Sequence, residues 1–428
     1  MNSELGPRLA FDYFQPVTES PAHDPYAALR VADFRRFVTC LLVQTLATMV
    51  QGVTVGWHVY QITHDPLALG LVGLAEALPF IMVALPAGQV ADRFDRRRVC
   101  LAALLVLAAC AGALFWMTTT GLLNRSTVWA VYAVMFVSGI ARSFLQPTRT
   151  ALSADLVPRE LYLNAVTWRS STWQFAAVAG PAAGGLLLGF AGEAASYGAA
   201  ALLLLLSWAV LARVEARPRP AASEGVAGLT GLLQGIHFLR DQPVLLGAFT
   251  LDLFSVLFAG AEALLPVFAT DILHVGAQGL GILRAAPAAG SVLMSVYLSH
   301  RPLASRAGRT LLLSVALYGV CISGFGLSLS FPLSVALLAL SGMFDNVSVV
   351  MRSTLLQTLT PRHLLGRVAA VNAIFIGSSN EVGAFESGVA ARLIGPVPAV
   401  VLGGIVPILV VGMIAWRVPT LRQLERIA

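Results

Sequence analysis

The sequence predicts an all-α membrane protein with twelve transmembrane helices in two pseudo-symmetric six-helix bundles. Three observations lead there. Of 428 residues, 57% are hydrophobic and 12% charged, and the mean hydropathy is +0.78; too little polar surface remains to cover a water-soluble globule of this length. Twelve apolar segments reach or approach the length of about 20 residues that crosses a hydrocarbon core about 30 Å thick. The third observation is an internal repeat. Arg149-Thr-Ala-Leu-Ser-Ala-Asp-Leu-Val-Pro158-Arg159-Glu-Leu161 returns as Arg352-Ser-Thr-Leu-Leu-Gln-Thr-Leu-Thr-Pro361-Arg362-His-Leu364, an offset of 203. Gly73-Leu-Ala-Glu76-Ala-Leu-Pro79 returns as Gly281-Ile-Leu-Arg284-Ala-Ala-Pro287, an offset of 208. A repeated six-span unit makes two halves.

In chain order, residues 1–36 form a polar tail punctuated by Pro7, Pro16, Pro21 and Pro25. The tail has no short apolar core followed by a small-residue cleavage site, so the first span is expected to remain uncleaved. Spans near 37–62, 67–90, 98–120, 127–149, 164–190 and 195–213 make an N-terminal bundle over 37–213. An Arg/Pro/Gly-rich connecting loop occupies 214–243. Spans near 244–270, 277–299, 309–330, 332–351, 368–392 and 396–417 make a C-terminal bundle over 244–417, and 418–428 is a tail.

Orientation follows from the arginines. The 28 basic residues are all Arg. Most fall in the two tails and in alternate loops: Arg93 with Arg96 to Arg98, Arg149 with Arg159, Arg213 to Arg240, Arg301 to Arg309, and Arg352 to Arg367. The opposite side has Arg125 and Arg392. Both termini and the central loop are therefore expected in the cytoplasm of a bacterium, with the protein multi-pass in the inner membrane. The pI near 9.5 then reflects topology and attraction to anionic membrane lipids, with no case for nucleic acid. Cys40, Cys100, Cys110 and Cys321 sit in or beside apolar segments, without metal-site or disulfide spacing.

Between spans 2 and 3 lies Gly88-Gln-Val-Ala-Asp92-Arg93-Phe-Asp95-Arg96-Arg97. It resembles the cytoplasmic signature of the major facilitator superfamily: Gly, three residues, Asp, a basic residue, one residue, Gly and a basic pair. Here Asp95 stands in place of the second Gly. Gly88 permits close helix approach, and Asp92 is an anion suited to the positive end of a neighbouring helix. The resemblance implies that this neighbour is span 11, near Val368, and that the contact latches the cytoplasmic side shut in the outward-open state. The second-half copy, His300 to Arg309, keeps arginines and lacks the acid.

Span 5 carries Gly180-Pro181-Ala-Ala-Gly184-Gly185, which resembles the superfamily's antiporter motif, with Ala176 replacing an upstream Gly. Small residues and a Pro bend suit a hinge or seal between bundles. The matching piece of span 11, Gly383-Ala-Phe-Glu386-Ser-Gly388, gains an acid, so Glu381 and Glu386, with Asn380, are candidate proton or cation sites. Arg149 with Pro158-Arg159-Glu160, Val349 to Gln357, and Phe375 to Glu381 together resemble the siderophore (enterobactin) exporter branch, over about residues 30–418.

Ionisable residues inside spans are costly and normally face a cavity or a partner. Arg142 and Asp345 share the offset of 203, each about 10 Å inside the cytoplasmic face. The resemblance puts spans 1, 4, 7 and 10 around a central cavity, where this couple either pairs across it or binds substrate and proton separately. Glu76 and Arg284 form a second couple, on spans that the resemblance places between the bundles; they make either a state-dependent contact or static packing. Span 7 aligns Asp252, Ser255 and Glu262, and span 1 aligns Gln44, Thr48, Gln51 and His58. Asp252 is the stronger proton candidate of these, since an acid that deep is costly to keep ionised.

The reading is a proton-coupled secondary active exporter of a siderophore or similar amphiphilic small molecule, working by alternating access as a monomer. An anionic cargo suits Arg142. A multidrug or macrolide-type efflux pump is the alternative. An importer of nutrients or lysophospholipid fits the Gly180-Pro181 motif less well, and a non-transporting sensor would not need the buried charges. No cofactor or metal is expected. No nucleotide-binding Gly-rich loop, zinc motif or nucleophile elbow points to an enzyme or primary pump.

Overall fold

The computed structural model describes residues 24–215, 229–300, 307–361 and 364–424. Twelve helical legs run through them, with no strand among the described residues. The first four are α1 (Ala32–Thr63), α2 (Pro66–Arg93), α3 (Arg96–Thr119) and α4 (Trp129–Asp155). The stretch Tyr162–Leu211 bends at Gly192 (φ 81°, ψ −179°), a backbone that a side chain would strain, into α5 (162–191) and α6 (193–211). Next come α7 (Pro243–Phe258, then Ala261–Val267 and a π turn Phe268–Ile272) and α8 (Gly276–His300). The last four are α9 (Ala307–Leu327), α10 (Phe331–Leu359), α11 (Leu365–Ile394) and α12 (Pro396–Arg417). Ten stretches, the bent one counted once, are long and apolar enough to cross a membrane, and α11 adds a helix of 30 residues.

Several boundaries move from their expected places. α1 starts at Ala32, inside the expected tail, because Asp33 and Arg36 pair at 2.9 Å across its first turn. α4 and α10 run past the expected ends at 149 and 351, which puts Arg149 and Arg352 inside helices. The connecting loop contains a helix, Leu229–Arg240, that rests on the start of α11: Arg367 donates to Gln234, and a Cβ at Gly235 would lie 3.0 Å from the Arg367 carbonyl. Asp95, in the place of the signature's second Gly, is the N-cap of α3 and accepts the Arg98 N–H at 2.9 Å.

The two halves repeat each other in their packing. α2 lies on α4, and α3 on α4 and α6; correspondingly α8 lies on α10, and α9 on α10 and α12. The halves meet through the symmetry-related pairs α2 with α11 and α5 with α8. Gly185 faces Gly281, where a Cβ on Gly185 would come 2.5 Å from the Gly281 Cα. Gly388, the repeat equivalent of Gly185, faces Gly70, with the corresponding distance 2.9 Å. The helix backbones touch there because neither side carries a side chain.

These contacts lie away from the termini. At that far side one apolar core combines both halves, with Val59 and Tyr60 packed among Leu264, Phe268 and Leu280. On the termini side the cores are separate, one built from the N-terminal half and one from the C-terminal half. The far side is closed, and the cleft opens towards the termini. Polar ties across the closed side include Arg392 to Asp65 at 3.2 Å, and the Tyr60 hydroxyl to the Asp271 carboxylate. Asp65 is also the N-cap of α2, accepting the Leu67 N–H at 3.0 Å. Arg392 is half-exposed, so its ion pair contributes about 0.5 kcal/mol. Arg392→Ala is therefore expected to shift the ratio of access states only about twofold, read by labelling a far-side cysteine; a tenfold shift would mean that this tie controls the gate.

Candidate functional site

At mid-depth the cleft is walled by polar residues from α1 and α4 on one side and α7 and α10 on the other. In the N-terminal wall Arg149 Nη1 donates to Gln44 Oε1 at 2.8 Å. In the C-terminal wall Arg352 forms an ion pair with Asp252, both 7% exposed. Gln44 and Asp252 are 208 apart and the two arginines 203 apart, so the two pairs are copies of one another. Local structure frees Gln44 for this role. The Thr45 hydroxyl bonds back to the Leu41 carbonyl at 2.7 Å, as Thr48 does to Gln44 at 3.2 Å, so their polarity is spent on the helix itself.

Arg142 forms an ion pair with Glu76 of α2. In this state Arg142 therefore does not pair with Asp345, nor Glu76 with Arg284, which leaves separate roles for the first couple and a state-dependent contact for the second. The reason is Gly139, where α4 approaches α2 so closely that a Cβ would stand 2.5 Å from the Glu76 carbonyl. That approach sets Arg142, one turn on, beside Glu76. Arg284 does reach the other half, with its Nη1 3.8 Å from where a Cβ on Gly52 of α1 would be. A cavity of about 70 Å³ opens beside Arg142 and Arg149, bordered by Gln44, Thr48, Gln146 and Trp173. Trp173 lines this cavity, while Trp168 donates to the Pro25 carbonyl at 2.9 Å and holds the N-terminal segment.

The opposite wall holds a smaller cavity of about 10 Å³, lined by Asp252, Ser255, Tyr318, Asp345 and Ser348. Glu262, exposed at mid-depth, lies within electrostatic reach of Asp345 and Tyr318. The break in α7 at Ala259-Gly260 creates this corner. Gly260 approaches the Gly383 carbonyl of α11, and the Tyr318 hydroxyl donates to the Ala259 carbonyl at 3.5 Å, so a carbonyl released by the break faces a donor.

Other expected residues stand elsewhere. His58 packs on Tyr197, with ring centroids 5.9 Å apart and Nδ1 3.4 Å from the hydroxyl, and does not line either cavity. Gln51 is buried and is also absent from both. Each lies further along α1 towards the closed side, beyond the open part of the cleft. Gly180 and Gly184 seat α1 within their own half, against Met49 and Val50. Gly185 and the carbonyl of Pro181 are the parts of that motif at the contact between halves. Glu386 is half-buried on α11; the side chains of Glu381 and Asp92 lie outside the described residues.

In the signature stretch, Gly88 makes no close helix approach, since open space surrounds the place of a Cβ. The termini-side ends of the halves are apart in this state. Arg93 is exposed. Arg96 bonds Asp155 at 2.6 Å and Arg97 the Ala212 carbonyl at 2.6 Å, which ties the start of α3 to the ends of α4 and α6. The residues that sequence reasoning missed are Arg149 and Arg352, read as loop arginines. Their signal was present in the shared offset with Gln44 and Asp252.

Three kinds of likeness accompany this geometry. Residues 23–428 match the family model described as transmembrane secretion effector. The chain is 28% identical to the enterobactin exporter EntS of Escherichia coli O1:K1 / APEC, and 27% identical to that of Shigella boydii serotype 18, each over 91% of both chains. Among solved structures it resembles a bacterial homologue of the iron transporter ferroportin in an inward-facing state (TM-score 0.68, 15% identity, 92% of this chain and 99% of that one). It also resembles the nucleoside transporter NupG (TM-score 0.71, 12% identity, 90% and 99%).

Proposed function

Because the chain belongs to the transmembrane secretion effector family of the major facilitator superfamily, we propose that it is a proton-driven exporter of a siderophore or similarly amphiphilic, anionic small molecule. The observation that carries this reading is the division of charge across the cleft. Beyond the internal Arg142–Glu76 and Arg352–Asp252 ion pairs, the N-terminal wall carries Arg149 and the C-terminal wall Asp345 and Glu262. A cationic wall suits an anionic cargo, and acids on the facing wall suit protons that return as cargo leaves. The enterobactin exporters among its relatives support a siderophore as cargo.

Both termini lie in the cytoplasm, as the arginines near the helix ends on that side support, and the open cleft is then inward-facing and ready to load. Residues 37–213 and 244–417 act as the two rocking bundles about the Gly185–Gly281 and Gly70–Gly388 contacts. Asp92 latches the cytoplasmic side in the opposite state. The working unit is a monomer in the inner membrane, with the central cleft wholly within one chain.

A strain lacking this protein, grown under iron limitation, is expected to release less siderophore and retain more in the cell. Unchanged release would remove a siderophore as the cargo. Met49 and Trp173 on the cavity wall would also accept a lipophilic drug, so heightened macrolide sensitivity with normal siderophore release would favour the efflux reading.

A further inference from the structure

Arg149 and Arg352 occupy equivalent places in the repeat, yet their partners differ in charge. Arg352 faces the carboxylate of Asp252 and is neutralised within the protein. Arg149 faces the amide of Gln44, which accepts one hydrogen bond at 2.8 Å and leaves the charge uncompensated. Among the described residues, its ionisable neighbours are the neutral thiols of Cys40 and Cys100 and the cations Arg142 and Arg169, with no carboxylate among them. Arg142 is held by Glu76, and Arg169 donates to the Ser153 hydroxyl at 3.1 Å. A guanidinium set this far into a helix bundle without a carboxylate is costly, and an incoming anion relieves that cost.

The cavity of about 70 Å³ opens directly onto Arg149. A guanidinium offers five N–H groups in a planar fork, so a bond to Gln44 leaves donors for a bidentate oxyanion. Trp173, on the same cavity wall and half-exposed, offers a flat face to a planar skeleton.

We propose that Arg149 anchors a single carboxylate-binding subsite for the cargo, present in the N-terminal half because Gln44 stands where the C-terminal half carries its own acid. The subsite rests on the exporter reading, and it names the recognition chemistry. One molecule holds one such site, since the equivalent position at Arg352 is already filled by Asp252.

The test is calorimetric titration of the purified full-length protein with 1-naphthoate, and with neutral 1-naphthamide as the isosteric control. The parent is expected to bind one naphthoate at least tenfold more tightly than the amide. Gln44→Glu supplies the missing acid and is expected to weaken naphthoate at least tenfold without changing the amide; Arg149→Gln should produce the same loss. Gln44→Glu keeps the test valid if Arg149→Gln fails to fold, because it recreates the pairing already present in the other half. Equal affinity for naphthoate and amide in the parent would overturn the subsite. So would undiminished naphthoate binding by folded, monodisperse Gln44→Glu. Those results concern recognition alone, whereas the export reading stands or falls on release from iron-limited cells.

Discussion

Asp252→Asn is expected to destabilise the protein by about 3–5 kcal/mol, because it leaves Arg352 buried without its counter-charge. The change should appear as a lower unfolding temperature and a smaller monodisperse fraction in detergent. The double variant Asp252→Asn/Arg352→Gln is expected to recover most of the loss, since removing both charges removes the desolvation cost along with the attraction. An unfolding temperature equal to the parent's in the single variant would show that the ion pair does not hold α7 to α10. The double variant also separates structure from transport. If it still moves cargo against a pH gradient, Asp252 is a structural partner and the coupling acid is Asp345, which lies in the same cavity without an ion-pair partner among the described residues.

Gly185→Leu should have the largest effect on access. Its Cβ would stand 2.5 Å from the Gly281 Cα and 2.8 Å from the Ala277 carbonyl, and backbone atoms cannot swing aside as a side chain can. The far side then cannot close, so the protein is expected to rest with that side open and to lose at least tenfold in transport. In a background lacking the four native cysteines, a cysteine at Gln278 reports the change. Gln278 lies against Gly189 at the same interface, and its labelling by an impermeant maleimide should rise at least tenfold. Gly112→Leu, where open space surrounds the Cβ, controls for the bulk of the side chain. Unchanged labelling in Gly185→Leu would mean that the glycine contact does not seal the gate.

Much of the fold was legible because its signals are long and repeated. Apolar runs of spanning length and an offset of 203 are properties of the chain that need no knowledge of contacts. The pairings were not legible in the same way, for a physical reason. An offset identifies positions that are equivalent by symmetry, and equivalent positions need not touch. Arg142 and Asp345 are such equivalents, and each belongs to its own half; contact was decided instead by Gly139, which lets α4 lie against α2 beside Glu76. The same offsets relate Gln44 to Asp252 and Arg149 to Arg352, and here the contact is made within each half, Arg149 to Gln44 and Arg352 to Asp252. Arg149 and Arg352 were hidden because they stand at the ends of the apolar runs, while the helices continue to Asp155 and Leu359. His58 illustrates a second limit. It shares the polar stripe of α1, but the stripe continues into the closed end of the molecule, where its members pack and do not line a path.

The central claim is that this protein exchanges protons for an organic anion by alternating access. Its most direct test is flux in inside-out membrane vesicles with an acidic lumen, using the radiolabelled siderophore proposed as cargo. Cargo is expected to accumulate in the lumen while the pH gradient lasts, and to leak back when a protonophore collapses it. Accumulation that is unaffected by the protonophore, or that occurs only in right-side-out vesicles, would contradict the account.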